Sequence, residues 1–88
     1  MANSAQARKR ARQAERRRQA NASARSKMRT YIKKFQKAVE GGDQAGAQTA
    51  FAEAAPLIDR AAGRGLIHRN TAARSKRRLN ARLRAMAQ

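Results

Sequence analysis

One stretch decides the fold: MRTYIKKFQKAV, at residues 28–39. It is the first place along the chain where large apolar residues recur at steps of three and four, the spacing that puts side chains on one face of an α-helix. The members of this stripe are Met28, Tyr31, Ile32, Phe35, Ala38 and Val39. Residues 2–27 contain no large apolar side chain. The later part of the chain must therefore fold back and cover the stripe.

A second helix is predicted after the Gly-Gly-Asp sequence at residues 41–43. A glycine there can take the left-handed cap of the first helix, and Asp43 can cap the next one. Small and large apolar residues then recur at helical spacing over residues 47–61. Pro56 lies inside this run, and we expect it to kink the helix rather than split it, because the stripe continues on both sides.

A third helix is predicted after the Gly-Arg-Gly sequence at residues 63–65. It should run from about Leu66 or Ile67 to near Ala87, with Asn70 as an alternative start because asparagine is a good N-cap. Its inward positions are expected to be Ile67, Thr71, Ala72, Ser75, Leu79, Leu83 and Met86.

The first helix is expected to be much longer than the other two. A narrow alanine stripe before residue 28 continues by heptads into the apolar stretch, which predicts one helix from about Ser4 to Glu40. Alanine buries little area and the arginines repel one another, so we predict that the first half is frayed or disordered in the free protein and helical on a polyanion.

The predicted fold is all-α: an up-down-up antiparallel three-helix bundle whose long, basic N-terminal helix projects as an arm. No segment shows the alternation of apolar and polar residues that is typical of a β-strand. We expect a single domain over residues 1–88, with the arm at 1–27 and the bundle at 28–88.

Charge is the strongest functional signal in a chain of 88 residues with a net charge of +17. Residues 1–29 carry +9, residues 30–65 only +1, and residues 66–88 carry +7. Two basic segments thus flank a nearly neutral apolar middle, which is typical of a protein that binds a polyanion. Arginine dominates, and its guanidinium suits bidentate phosphate contacts.

Catalysis and metal binding are not indicated. The chain has no cysteine, one histidine and five acidic residues, too few for a convincing metal cluster, and no catalytic motif. His68 is the one candidate general base, but a capping or packing role near a helix start explains it better, with RNA contact as the next choice. We expect no enzyme activity, no cofactor, no metal and no small-molecule substrate.

The aromatic residues indicate how a nucleic acid would be bound. All three lie on predicted core stripes and none among the arginines, so base stacking is not indicated and contacts should go to the backbone of a folded nucleic acid. A membrane partner is less favoured, because no run of about 18 apolar residues exists and the basic segments lack a large apolar face. The alternatives left open by charge alone are a histone-like DNA-compacting protein and a cationic membrane-active peptide.

Several motifs resemble one known family. The chain reads MANSA at 1–5 and RKR at 8–10, NAS at 21–23 and MRTYIKK at 28–34, AF at 50–51 and PLIDRAA at 56–62, and GRGLIHRNTAAR at 63–74. These are similar to the bacterial small-subunit ribosomal protein family number twenty, over nearly the whole chain. The run from Gly65 to Arg74 is the most specific part.

The resemblance implies a structural protein of the cytoplasmic ribosome that binds 16S ribosomal RNA directly, early in assembly, and bridges its 5′ domain and its long penultimate helix. It implies no membrane partner and no homo-oligomer. Polar residues among the arginines, including Ser75, can donate to phosphates or to the 2′-hydroxyl. The predicted RNA-binding residues are Arg8, Lys9, Arg10, Arg12, Arg16, Arg17, Arg18, Asn21, Ser23, Arg25, Ser26, Arg29, Lys33, His68, Arg69, Asn70, Arg74, Lys76, Arg77 and Arg78.

Overall fold

Three helices make up the fold in a computed structural model that describes residues 3–87. Helix α1 spans Asn3–Glu40, α2 spans Gln44–Gly63 and α3 spans Arg69–Met86. No strand occurs among the described residues. The molecule measures 68 × 22 × 14 Å, because the 38-residue α1 extends well beyond its partners. The predicted all-α bundle with a long first helix is confirmed.

The turn between α1 and α2 satisfies the backbone groups of both helix ends. Gly42 has a φ of 72°, and its N–H donates to the carbonyl of Val39 at 3.1 Å. The N–H of Asp43 donates to the carbonyl of Ala38 at 2.9 Å, which completes a Schellman motif. The Asp43 carboxylate in turn accepts from the N–H of Gly46 at 2.9 Å. Both caps predicted for this turn are confirmed.

The turn after α2 repeats that geometry. Gly65 has a φ of 76° and donates to the carbonyl of Ala62 at 3.0 Å, while the N–H of Leu66 donates to the carbonyl of Ala61 at 2.9 Å. The chain then stays outside a helix until α3 begins at Arg69. Such a glycine-capped turn brings α2 and α3 side by side with only a few connecting residues.

The predicted start of α3 at Leu66 or Ile67 is wrong by two or three residues. His68 is the N-cap, with extended backbone angles (φ −70°, ψ 145°), so the residues before it belong to the connection. Its Nδ1 accepts from the N–H of Asn70 at 3.0 Å. The interpretation of His68 as a capping residue is confirmed. Ile67 still contributes to the core, by packing against it from the connection.

Pro56 does not interrupt α2, which runs without a break from Gln44 to Gly63. The prediction that the helix is not split there is therefore confirmed. The proline side chain is exposed to solvent, so the position with the missing N–H lies at the surface, where water can hydrate the carbonyl left without a donor.

The core is small and rich in alanine. Its two fully buried large side chains are Phe35 of α1 and Ile58 of α2. The other buried residues are Ala47, Ala50, Ala54, Ala61, Ala72 and Leu79. Alanine at so many contact positions lets the helix backbones approach closely but buries little apolar area. The half-buried Phe51 adds an aromatic contact, with its ring centroid 6.2 Å from that of Phe35 at an interplanar angle of 57°.

The three helices do not contact one another equally. Helix α2 packs along both α1 and α3, whereas α1 and α3 touch each other much less. The bundle is therefore open on the side where α1 and α3 face each other. One inward assignment on α3 is also wrong: Thr71 is exposed, because the buried position of that turn is taken by Ala72.

The N-terminal part of α1 projects from the bundle. Every side chain from Ser4 to Ala20 is exposed, and the first half-buried residues are Asn21 and Ala24. Burial against the bundle thus begins about two turns before Met28. The division into an arm at 1–27 and a bundle at 28–88, and the fraying of the arm in the free protein, stay predictions.

Replacing Phe35 by alanine should lower the free energy of unfolding by about 3–5 kcal/mol, because this ring is fully buried at the α1–α2 contact. The matched change Phe51→Ala should cost less, since that ring keeps part of its exposure. Urea unfolding followed by circular dichroism compares the two. Variants that both unfold at the same urea concentration as the parent would refute this core.

The start of α2 offers a matched pair of glycine substitutions. A Cβ at Gly46 would clash with Oδ2 of Asp43, so Gly46→Ala should displace the capping carboxylate, and the loss of about 1 kcal/mol should offset the gain in helix propensity. A Cβ at Gly63 meets nothing within 4 Å and Gly63 lacks a positive φ, so Gly63→Ala should stabilise by about 0.4–1 kcal/mol. Thermal melts should show a higher melting temperature for Gly63→Ala and little change or a decrease for Gly46→Ala, and equal shifts would contradict the capping geometry.

Candidate nucleic-acid interface

The basic residues are concentrated on the two outer helices. Helix α1 carries 13 lysines and arginines against two acidic residues, and α3 carries seven against none. Residues 43–64, which include α2, hold two arginines and three acidic residues. The fold thus places a slightly acidic helix between two strongly basic ones. This arrangement separates the positive charges and leaves both basic surfaces open to a partner.

The arm presents arginines on all its sides. The predicted contacts on it, Arg8, Lys9, Arg10, Arg12, Arg16, Arg17 and Arg18, are all exposed. One of them is engaged: the Arg18 guanidinium donates to the Glu15 carboxylate at 2.6 and 3.0 Å. That hydrogen bond lowers the pKa of Glu15 and raises the pKa of Arg18. The other six cations form no ion pair within the described residues.

Where α1 joins the bundle, most of the predicted contacts are exposed. Ser26, Arg29 and Lys33 are exposed and follow one another at steps of three and four, so they form a single line on the helix surface. Arg25 and Ser23 are exposed as well. Asn21 is half-buried and lies nearer to the bundle than the sequence indicated.

The outer face of α3 carries two shallow depressions between its arginines. Asn70, Ala73, Arg74 and Arg77 line the first, of about 400 Å³. The second, of about 310 Å³, is lined by Arg77, Asn80 and Arg84 together with two alanines. Small residues between long cationic ones allow a phosphate backbone to approach the helix while guanidinium groups reach it from both sides.

The basic run at residues 76–78 does not form one surface. Lys76 pairs with Asp59 of α2, with Nζ 2.7 Å from Oδ1. Arg77 lies on the outer face described above, whereas Arg78 lines the groove of about 470 Å³ between α1 and α3. The helix turns by about 100° per residue, so three consecutive cations point in three directions. Lys76 thus links α3 to α2 in this structure.

His68 and Arg69 lie at the start of α3, and both are exposed. Because Nδ1 of His68 accepts the capping hydrogen bond, the neutral ring carries its proton on Nε2. This second nitrogen makes no hydrogen bond within the described residues and is a possible donor to a partner. Ser75 is half-buried in the groove beside Arg78.

Some cations that sequence reasoning left out share one surface. Lys27 of α1 lies beside Arg60 and Arg64, which are near the end of α2, around a depression of about 310 Å³. This cluster is not apparent from the sequence, because the charges of Arg60 and Arg64 are offset by acidic residues when charge is summed over residues 30–65. The spacing of Arg60 and Arg64, four residues apart on a helix, was the available signal.

Two further findings concern membranes and metals. No helix within residues 3–87 is long and apolar enough to cross a membrane. No group of three or more histidine or acidic side chains is placed to hold a metal ion in the same part of the chain.

Fold and charge together define a class: a small, all-helical protein with a basic projecting helix and arginine-rich outer surfaces suited to a polyanion. Comparison with known proteins gives the family. The family model of ribosomal protein S20 matches residues 2–84. The chain therefore belongs to the ribosomal protein S20 family.

Close relatives agree with that assignment, and each is named small ribosomal subunit protein bS20. The relative from Methylococcus capsulatus is 61% identical over 87 residues, which cover 99% of this chain and 95% of the relative. Those from Cellvibrio japonicus and Nitrosococcus oceani are 60% and 59% identical, with 99% of this chain covered in each case and 99% and 100% of the relatives.

Family membership confirms the resemblance read from the motifs. It makes the chain a structural protein of the small ribosomal subunit, located on the ribosome, and confirms the prediction that it is not an enzyme. The contacts of the predicted RNA-binding residues stay a prediction.

The cap at the start of α3 can be tested through His68. Replacing it with alanine removes the acceptor for the Asn70 N–H and should lower the free energy of unfolding by about 0.5–2 kcal/mol. His68→Ser supplies another good capping oxygen and should restore most of that stability. Chemical unfolding of both variants measures the difference. If the alanine and serine variants are equally stable, the ring does not act as a cap.

Proposed function

We propose that this protein binds 16S ribosomal RNA directly and stabilises its folding during assembly of the small subunit. The proposal rests on one observation above all: exposed arginines and lysines cover α1 and α3, while α2 between them is slightly acidic. RNA phosphates that neutralise the cations of α1 and α3 remove the repulsion between these helices and so stabilise the protein. Because binding is linked to folding, the bound protein stabilises the folded RNA in return.

Recognition would go mainly through phosphates and RNA shape. The aromatic side chains are engaged in the bundle: Phe35 is buried, Phe51 is half-buried against it, and Tyr31 is half-buried with Nζ of Lys34 4.6 Å from its ring centroid. None of them offers an open stacking platform. Guanidinium groups and the hydroxyls of residues such as Ser26 can instead reach phosphates and 2′-hydroxyls.

Two separate basic surfaces suit a protein that joins two RNA segments. The arm extends about 25 Å beyond the bundle, at 1.5 Å for each residue from Asn3 to Ala20. The outer face of α3, with Arg74 and Arg77, lies on another helix. We propose that these surfaces contact different parts of 16S ribosomal RNA, namely its 5′ domain and its long penultimate helix.

The arm would couple its own folding to binding. A helix with no packed face gains little from propensity alone, and seven cations within residues 8–18 oppose its formation. RNA phosphates along the arm would neutralise these cations and so favour the helix. The free energy needed to order the arm lowers its affinity for RNA. Disorder in the free protein, however, lets the arm adapt to the RNA surface that it binds.

The direct test is binding of the protein to a 5′-domain fragment of 16S ribosomal RNA across a salt series. Unrelated structured RNA and duplex DNA serve as competitors. The proposal predicts tight binding that survives both competitors at moderate salt. Equal affinity for all three nucleic acids, abolished together as salt rises, would instead favour a general DNA-compacting or polyanion-binding protein.

Deleting residues 1–20 tests the part played by the arm. The bundle should stay folded, since every described side chain from Ser4 to Ala20 is exposed. Affinity for the RNA fragment should fall, and the slope of log affinity against log salt should flatten by roughly 0.7–0.9 for each phosphate that is no longer neutralised. Circular dichroism checks the bundle. An unchanged slope in a folded variant would show that the arm does not bind the RNA to any large extent.

A further inference from the structure

A cluster of three cations from two helices lies where the arm leaves the bundle. Lys27 of α1 and Arg60 and Arg64 of α2 and its cap surround a depression of about 310 Å³. Leu57, alanines of both helices and Ser23, which has a hydroxyl, also line it. The chain thus brings together three positive groups and a hydrogen-bond donor around a small, partly apolar concavity.

Nothing within the described chain neutralises this cluster. No acidic residue lines the depression, and none of the three cations forms an ion pair in residues 3–87. The acidic residue next to Arg60 in sequence is Asp59, which pairs with Lys76 of α3 at 2.7 Å. Like charges held together without a counter-charge repel one another, so an anion bound among them would be favoured.

The helix end explains only part of the arrangement. Cations near the C-terminus of α2 complement its dipole, which accounts for Arg60 and Arg64. The last carbonyls of that helix, however, already accept backbone N–H groups: Arg60 from Arg64, Ala62 from Gly65 and Ala61 from Leu66. The guanidinium groups are therefore not needed to satisfy them. The dipole also gives no reason for Lys27 on α1 to face the same depression.

We propose that Lys27, Arg60 and Arg64 form a phosphate-binding site, and that a backbone phosphate of ribosomal RNA occupies it. Identification of RNA as the source rests on the proposed function, whereas the phosphate chemistry rests on the cluster itself. Because Ser23 and Lys27 lie in α1 just after the exposed residues 4–20, a phosphate here ties this part of α1 to the end of α2.

The phosphate chemistry can be tested without RNA by using pyrophosphate as the probe, at constant ionic strength. At about five times its dissociation constant it should raise the melting temperature of the full chain by about 4–8 °C. The variant Arg60→Gln with Arg64→Gln should show at most half of that shift. The variant Lys34→Gln with Lys37→Gln removes the same charge from exposed residues outside the cluster and should keep the shift.

Comparing the ligand-induced shift within each variant cancels any change in basal stability. Equal shifts in the parent and both variants would mean general charge screening, and no shift in the parent at millimolar pyrophosphate would mean no site. Either result overturns the proposal.

A second measurement identifies the source of the phosphate. The Arg60 and Arg64 double variant should bind the 5′-domain fragment several-fold more weakly, with a salt slope flatter by roughly 0.7–0.9 for each phosphate that it fails to neutralise. If the parent binds the fragment and the double variant binds it equally well, the RNA assignment of this site is wrong while the proposed function stands. If the parent itself does not bind specifically, the proposed function fails, whatever pyrophosphate does.

Discussion

Repulsion among like charges is the constraint on which this structure depends. A net charge of +17 on 88 residues opposes any compact arrangement, and the core available to resist it contains two fully buried large side chains, Phe35 and Ile58. The remaining buried residues are alanines and one leucine. A core of this size supplies limited stability, so the basic residues must be kept apart or neutralised.

The order of the helices reduces this repulsion, because α2 lies between the two basic helices α1 and α3. The helix carries Glu53 and Asp59 on its exposed surface, and Asp59 pairs with Lys76 of α3. Helix α2 contacts both basic helices, whereas α1 and α3 touch each other only slightly. The same arrangement leaves their outer faces open. Stability of the free bundle and availability of the cations to RNA thus have one structural cause.

Much of the fold could be predicted because it depends on short-range signals. Stripes at helical spacing locate α1 and α2, and glycines at 42 and 65 locate their ends. The start of α3 was misplaced because propensity does not distinguish a first helical turn from an extended connection. The deciding interaction is the hydrogen bond from the Asn70 N–H to the His68 ring. Histidine is an uncommon cap, so a search for serine, threonine, aspartate or asparagine passes over it.

The candidate site was less predictable, because its geometry depends on how helices lie against one another. Charge counts identified the basic segments but could not assign a partner to each cation. The cluster of Lys27 with Arg60 and Arg64 combines residues more than thirty positions apart, and such combinations emerge only when the packing is known.

We propose that RNA binds the basic outer helices and thereby orders the arm, while the bundle is already formed in the free protein. Hydrogen exchange of backbone amides, measured by mass spectrometry in free protein and in complex with the 5′-domain fragment, tests it most directly. We expect rapid exchange over residues 4–20 in the free protein and strong protection in the complex, with the amides around Phe35 and Ile58 protected in both. Full protection of the arm in free protein, or an arm that stays unprotected in a tight complex, would contradict it.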